Sequence, residues 1–329
     1  MFKNIIPILE EFHEHISYMY AVYKRFEGSG IADVLVSAGV LAGGSADKAL
    51  KGKQYRRGLR AILEWRETLI YIRLKEILPT VQLPEDVVDA LKVLRNPLNE
   101  TQAGLSEASH TLELSTVFQD IVSKVYTAPD TDMARYWLSF LEMTDPLIQS
   151  ITACHTQCYD EFKSSNYDML KSLKAYNNND YARYMGDFWA MLEGLPDDQS
   201  NFFQDHFIQS LRGHPFSAMP LDMWIEVTMN LGSKLKAGWL QLLQNEKQLF
   251  VTARNANNIS RVKSILEQNL QKKDRNVVRA ECQPARIIAD EKAIADILDT
   301  LEECNGHIFS PEYPELRSIQ SGILASDEA

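Results

Sequence analysis

The helical spacing of apolar residues is the feature that most constrains the fold of this chain. Between residues 55 and 78, apolar side chains recur three and four positions apart, and the pattern stops at Pro79. The same spacing returns at 286–303, whereas the strict alternation of a half-buried strand is scarce. The pattern predicts a mostly α, multi-helix globular protein. A short apolar run at 5–9 is either a small strand or the start of a helix.

Proline, glycine and polar runs separate the predicted helices. Residues 99–126 are predicted to form one amphipathic helix, and 133–176 a helix that breaks at Asp145–Pro146. The chain is divided into three regions. Residues 1–126 are an N-terminal helical region that begins with the candidate strand, and residues 127–271 are a central helical region that contains Asp222 and Glu226. Residues 272–329 comprise a charged linker, an amphipathic helix and an irregular tail.

Composition indicates a large core and an acidic surface. The 329 residues are 45% hydrophobic, and 34 basic residues face 45 acidic ones for a net charge of −11. Such a charge argues against broad nucleic-acid binding, so we expect DNA to bind weakly if it binds. A protein partner for the acidic surface is the other expectation.

The helix predicted at 55–78 carries the most basic surface in the chain. Its five arginines are expected to face water, with contact to phosphates as the alternative; they are Arg56, Arg57, Arg60, Arg66 and Arg73. Trp65 lies among them, so we expect Trp65 to be less buried than Trp224, which is flanked by apolar residues.

Four cysteines in a chain of this length indicate a reduced, intracellular protein, whether nuclear or cytoplasmic; they are Cys154, Cys158, Cys282 and Cys304. Cys154 and Cys158 are one helical turn apart. They are interpreted as packed thiols, and a zinc site would need two further ligands such as His206 or His214. No apolar window of about 18 residues predicts a membrane span, and the first ten residues are too quickly charged for a signal peptide.

Two groups of acids are candidates for chemistry. Asp222 and Glu226 are one turn apart, so a buried pair could hold a cation; alternatively, Asp222 caps the helix after Pro220 and Glu226 faces water. The segment 10–15 is also dense in potential ligands. If 5–9 is a strand, this segment lies at its carboxyl end, where metal-binding acids collect; otherwise it is an exposed first helical turn. No nucleotide-binding or nucleophile motif supports a small-molecule enzyme.

Several segments, in their order and approximate spacing, resemble one group of uncharacterised, mobile-element-associated eukaryotic proteins. They are Ile8–His13, Phe26–Ile31, Gly52–Arg60, Asn179–Tyr184, Leu221–Glu226, Ser233–Lys234 and Pro284–Arg286. Each segment is short, and the ordered set carries the resemblance across nearly the whole chain.

The resemblance implies a relative of transposases, with an RNase H-like core, of which 5–9 would be a strand remnant, and a large helical insertion. A core of that type holds two metals, Mg²⁺ or Mn²⁺, on carboxylates. Glu11 stands where related proteins place an acid, and Glu226 would be the late helical carboxylate. Glu11, Asp222 and Glu226 are therefore the metal-ligand candidates, with Glu11 and Glu226 as the ancestral catalytic pair.

Two departures from the group argue against catalysis. Members usually carry an acidic segment upstream of the first matching segment, so the chain is expected to be truncated at its N-terminus. Glu at position 11 in place of Asp would displace the carboxylate by roughly 1.5 Å, and a metal site needs its ligands placed within about 0.5 Å. The leading expectation is a mobile-element-derived, transposase-like protein that is not competent alone. The alternative is a helical protein-interaction module with an acidic surface.

Overall fold

The computed structural model describes residues 11–95, 101–127, 130–176, 179–208, 218–220, 222–223, 284–304 and 306–325. In these residues the chain is mostly helical, and outside the helices a bridge joins Arg317 and Leu324. The prediction of a mostly α, multi-helix globular fold is confirmed. The candidate strand at 5–9 lies outside the described residues.

Twelve α-helices are described: α1 (Glu11–Phe26), α2 (Ile31–Ser37), α3 (Ala46–Leu50), α4 (Tyr55–Ile77), α5 (Glu85–Arg95), α6 (Gln102–Leu114), α7 (Thr116–Val125), α8 (Asp132–Thr156), α9 (Tyr159–Ala175), α10 (Asn179–Glu193), α11 (Asp197–His206) and α12 (Pro284–Glu303). Short 3₁₀ helices occupy Gly43–Ser45 and Leu78–Thr80. None of the described helices has both the length and the apolar character that crossing a membrane requires.

Two of the predicted helix boundaries were wrong. The helix expected at 99–126 is divided in two, because Ser115 leaves the helical conformation and its hydroxyl accepts a hydrogen bond from the Phe118 amide, which caps α7. The break expected at Pro146 is absent, and α8 continues to Gln157, whose φ of 61° ends it. Packing outweighs the lost backbone hydrogen bond here, since Pro146 and Leu147 are both buried.

The core gathers α1, α4, α8 and α9 around a group of aromatic rings. Trp137 stacks on Phe26 with ring centroids 5.6 Å apart and meets Trp65 at 5.1 Å. Phe140 packs edge-on against Phe26 at 4.9 Å. Trp65 is fully buried, and Trp224 lies outside the described residues, so the comparison between the two tryptophans stays a prediction.

The arginine-rich face of α4 is largely turned inward, which corrects the prediction of a solvated basic surface. Arg60 donates to Glu64 at 2.6 Å, and Arg66 donates to Asp145 at 2.6 Å. Arg73 is buried and donates to the Lys124 and Thr127 carbonyls. Because these carboxylate and carbonyl oxygens accept hydrogen bonds from the arginines, α4 can pack against the core with its arginines partly buried. The two that remain exposed are Arg56 and Arg57.

Two smaller units complete the described structure. The hairpin of α5 and α6 packs its own apolar cluster, which consists of Val87, Ala90, Ala108 and Leu112. The segment 306–325 lies against the main core without forming a helix, and the Ile319 amide donates to the Ser29 carbonyl at 2.9 Å. The main core has members in each of the three sequence regions.

Candidate functional site

The buried face of α1 changes its chemistry along the helix. Toward its C-terminus this face buries apolar residues such as Tyr18, Met19 and Val22. In the first turn the same face buries Glu11, Glu14 and His15. The three positions are spaced i, i+3 and i+4, so they continue the apolar stripe with charged and polar groups. Glu11 is therefore in a first helical turn, as one interpretation held, but the turn is buried rather than exposed.

Asp222 closes this region from a distant part of the sequence. Its Oδ1 accepts a hydrogen bond from the Phe12 amide at 3.1 Å, and its Oδ2 accepts from the His13 amide at 3.0 Å. His13 Nδ1 lies 2.9 Å from the same Oδ2. The carboxylate thus occupies the positive end of α1 and satisfies amides that have no partner within the helix. Asp222 caps α1, a helix about 210 residues away in sequence. We call the carboxylates of Glu11, Glu14 and Asp222 the acidic site.

Glu14 is the most unusual member of the acidic site. Its side chain is 1% exposed, and within the described part of the chain neither carboxylate oxygen has a hydrogen-bond partner. Burial raises the pKa of Glu14 well above its usual value, and the charge of Asp222 raises it further. The protonated form is favoured because it avoids placing an uncompensated charge in the core.

His15 carries the polar character into the helix bundle. Its Nε2 lies 2.9 Å from Ser150 Oγ on α8, and Asn166 of α9 donates to the same oxygen at 3.5 Å. Burial and the nearby charge of His155 lower the pKa of His15 to about 3, so the imidazole is neutral over the ordinary pH range. These hydrogen bonds, both to Ser150 Oγ, link α1 and α9 to α8.

The end of α8 and the start of α4 form the remaining walls. Burial raises the pKa of the Cys154 thiol well above its usual value, and the three carboxylates add to the effect. Burial also raises the pKa of Tyr55, with smaller effects from Cys154 and Asp222. Cys154 is therefore a protonated, packed thiol rather than a nucleophile. His155 Nδ1 lies 2.7 Å from the Ala218 carbonyl oxygen, which anchors the segment that carries Asp222.

The structure brings together two of the three predicted metal ligands. Glu11 and Asp222 meet at the start of α1, and Glu226 lies outside the described residues. Carboxylates suit Mg²⁺ or Mn²⁺, but both Asp222 oxygens already accept hydrogen bonds from α1. Among the residues described, no three His, Cys, Asp or Glu side chains meet as ligands of one ion. The described residues do not fit a two-metal centre.

Ser150 and Asn166 were not predicted as members of the site, whereas Glu14 and His15 lay in the segment 10–15 that was interpreted as dense in potential ligands but were not named as metal-ligand candidates. For Glu14 and His15 the signal was available, because extending the Tyr18 stripe one turn toward the N-terminus places both on the buried face. Ser150 and Asn166 carried no such signal. Both are buried polar residues on helix faces that are mostly apolar, and their partners are known only from the packing.

Comparison with known proteins gives a family without a function. A family model described as a domain of unknown function (DUF8702) matches residues 1–329, and the chain therefore belongs to that family. No curated protein and no solved structure matches the chain.

Proposed function

We propose that this member of the DUF8702 family is a mobile-element-derived, transposase-like protein that acts inside the cell and does not cleave DNA alone. Glu11 and Asp222, with Glu226 as the late carboxylate, are the remnant of the ancestral site. The proposal rests on the resemblance described above and on one observation. Acids from two distant parts of the chain meet at the start of α1.

That meeting supports the proposal because nucleases of this type assemble their carboxylates from separate segments. The bond between the Phe12 amide and Asp222 Oδ1 spans 210 positions in the sequence. The first turn of α1 and the segment around Asp222 are also two of the segments that carry the resemblance. A surface interaction module would not need to bury these acids together.

The loss of catalysis is supported by how the acids are used. Both oxygens of Asp222 accept hydrogen bonds that hold the start of α1. Glu14, beside it, is buried in a setting that favours its protonated form. A catalytic carboxylate must be ionised and free to bind a cation, and neither group meets that requirement here.

Weak DNA binding is part of the proposal. The net charge of −11 repels phosphates, and Arg60, Arg66 and Arg73 are engaged with acceptors inside the protein. Arg56 and Arg57 remain exposed on α4. We expect dissociation constants no tighter than ~10⁻⁶ M at physiological salt. Fluorescence anisotropy with a duplex at several salt concentrations measures this, with Arg56→Gln/Arg57→Gln as the variant that should weaken it further.

A plasmid cleavage and strand-joining assay with Mg²⁺ or Mn²⁺ tests the absence of catalysis. Wild type, Glu11→Gln and Glu226→Gln should all give no product, and Glu113→Gln, an exposed acid on α6, serves as the matched control. Metal-dependent cleavage by wild type and Glu113→Gln that is lost in Glu11→Gln would show a working site. Ancestry is tested separately by searching the genomic flanks of the gene and its paralogues for inverted repeats and target-site duplications.

Protein interaction is the second candidate function, and the α5–α6 hairpin favours it. This hairpin has its own small core and still exposes Leu91 and Leu114, the latter 69% exposed. A photo-crosslinking amino acid at position 114 should then capture one defined partner in cells. The same amino acid in place of Tyr71, exposed on α4, is the matched control. Equal, diffuse crosslinking from both positions would argue against the hairpin as an interface.

A further inference from the structure

A second site lies away from the acidic site, where the segment 306–325 turns back on the end of α12. It is a cavity of about 270 Å³, which we call the C-terminal pocket. Its walls include Met133 at the start of α8, Cys304 after α12, and the turn at 318–322. The turn is held in place, since the Ser318 amide donates to the Ile323 carbonyl and the Gly322 amide donates to the Ser318 carbonyl, both at 2.9 Å.

The turn is also fixed against the body of the protein. Adding a Cβ at Gly30, whose φ is +92°, would place it 2.9 Å from Ser318 Oγ and 3.0 Å from the Gln320 amide nitrogen. Only glycine therefore allows this close approach of the loop before α2 to the turn. The Ile319 amide donates to Ser29 beside it. The pocket is consequently a preformed cavity with ordered walls.

Arg317 is the basic group in the lining of the pocket. Its guanidinium lies over the Tyr313 ring at 5.1 Å, and that ring stacks on His307 at 4.7 Å with an angle of 8°. The contact with the ring uses the planar face of the guanidinium. The N–H groups at its edge can therefore still donate hydrogen bonds. The ion pair that it makes with the exposed carboxylate of Glu315 is long, at 3.5 Å.

The hydrogen-bonding capacity of Arg317 is not fully satisfied by the described residues of the protein. Three-quarters of its side chain is buried, and its Nε is a buried donor without a hydrogen-bond partner among the described residues. A guanidinium offers five donors in one plane, and burying them without acceptors is unfavourable. Carboxylates and phosphates are the groups that match such a planar fork.

We propose that the C-terminal pocket binds a small oxyanion-bearing ligand, with Arg317 as the residue that recognises the carboxylate or phosphate group. The cavity volume suits a small metabolite rather than a polymer, since pockets for drug-sized ligands begin near 300 Å³. The site is separate from the acidic site and does not depend on the function proposed above. Tyr313 and His307 position the guanidinium and do not need to touch the ligand.

Cys304 supplies a direct readout, because its thiol lines the pocket and is partly exposed. In a Cys158→Ser/Cys282→Ser background, the rate at which the uncharged reagent N-ethylmaleimide modifies Cys304 is followed by mass spectrometry. Inorganic phosphate and acetate are the probes, and sodium chloride at equal ionic strength is the reference. We expect at least one anion at 10 mM to slow modification roughly threefold, as mass action requires for a dissociation constant of about half that concentration.

Arg317→Gln should abolish the slowing, because losing a charge-assisted hydrogen bond weakens binding roughly tenfold or more. Arg56→Gln, a change of the same kind at an exposed position of α4, should preserve the slowing of Cys304 modification by the anion. If circular dichroism shows that Arg317→Gln does not fold, Arg317→Lys replaces it, with the same roughly tenfold loss expected because the fork is gone. Protection by neither anion, or protection that persists in the position-317 variant, overturns the proposal. Protection by phosphate alone or by acetate alone assigns the ligand to that chemistry.

Discussion

The two ends of α1 are buried to the same depth and filled with opposite kinds of side chain. At the C-terminal end, Phe26 lies within a group of rings with Trp137 and Phe140. At the N-terminal end, Glu11 and Glu14 occupy the same helix face and are equally buried. Removing apolar area from water stabilises the first end. Removing carboxylates from water destabilises the second unless they are paired or protonated.

The difference shows that one helix can both anchor the fold and carry a buried polar site that is unfavourable for stability. About two and a half turns of apolar packing, from Tyr18 to Phe26, fix the position of α1, so its first turn does not need to contribute stability. The acidic site is retained at a cost, and that is expected of groups kept for a function rather than for folding. Replacing the buried carboxylate of Glu14 should therefore change stability in the opposite direction to replacing an aromatic ring at the other end.

The largest effect should come from breaking the aromatic end. Trp137→Ala removes a ring that is fully buried between Phe26 and Trp65, and it should lower the free energy of unfolding by ~3–5 kcal/mol. Urea denaturation followed by circular dichroism measures the loss. Tyr71→Ala on the exposed side of α4 is the control and should change stability by less than about 1 kcal/mol. Similar losses in the two variants would contradict the position of Trp137 at the centre of the core.

Much of this end of the molecule could be predicted from the sequence. The periodicity of apolar residues located α1, α4 and α12 nearly to their ends. The periodicity did not show that Trp65 is fully buried, because the neighbouring arginines indicated a solvent-exposed surface. The Arg66 partner, Asp145, comes from another helix, and no local pattern shows such a pair, whereas the pair of Arg60 and Glu64 lies within α4 itself.

The next effect should come from the acidic end and have the opposite sign. The pKa of Glu14 is raised in the folded protein, so its stabilising contribution is present below the unfolded value near 4.5 and is lost as pH rises through the folded value. Glu14→Gln removes this loss and should stabilise the protein at pH 8, and by less at pH 5. Urea midpoints at the two pH values measure it. Glu113→Gln on the surface should show no such difference, and a destabilised Glu14→Gln at pH 8 would mean that the carboxylate has a stabilising partner.

His15 should produce the reverse dependence on pH. Its folded pKa, about 3, lies below the unfolded value of 6.5, so its contribution is complete above 6.5 and is lost as pH falls toward 3. Between pH 6.5 and 5 this amounts to about 2 kcal/mol in the wild type. His15→Gln keeps a hydrogen-bonding group for Ser150 and should flatten this acid limb. The control is His110→Gln, an exposed residue whose removal should leave the slope unchanged. An unchanged slope in His15→Gln would show that the imidazole takes up a proton in the folded state.

The candidate site could be predicted only in part, for physical reasons. Glu11 and Asp222 were both singled out, but nothing in the sequence shows that Asp222 would cap α1. A capping carboxylate needs only two free amides within reach, and those amides belong to Phe12 and His13, far away in the chain. Glu14 lay in the candidate segment 10–15 but was not named as a ligand, because a charged residue in a first helical turn is ordinarily exposed and favourable there.

The smallest effect, and the one that joins the two acids, should come from Asp222→Asn. Loss of the charged cap on α1 should cost ~0.5–2 kcal/mol. The charge of Asp222 also raises the pKa of Glu14, so its removal relieves Glu14 and hides part of that cost at pH 8. In the Glu14→Gln background no relief is possible, and Asp222→Asn should cost more there than in the wild type. A double-mutant cycle by urea denaturation at pH 8 gives the coupling, and Asp299→Asn, exposed on α12, should show none with Glu14→Gln. Additive effects of Asp222→Asn and Glu14→Gln would mean that the two carboxylates do not sense each other across the start of α1.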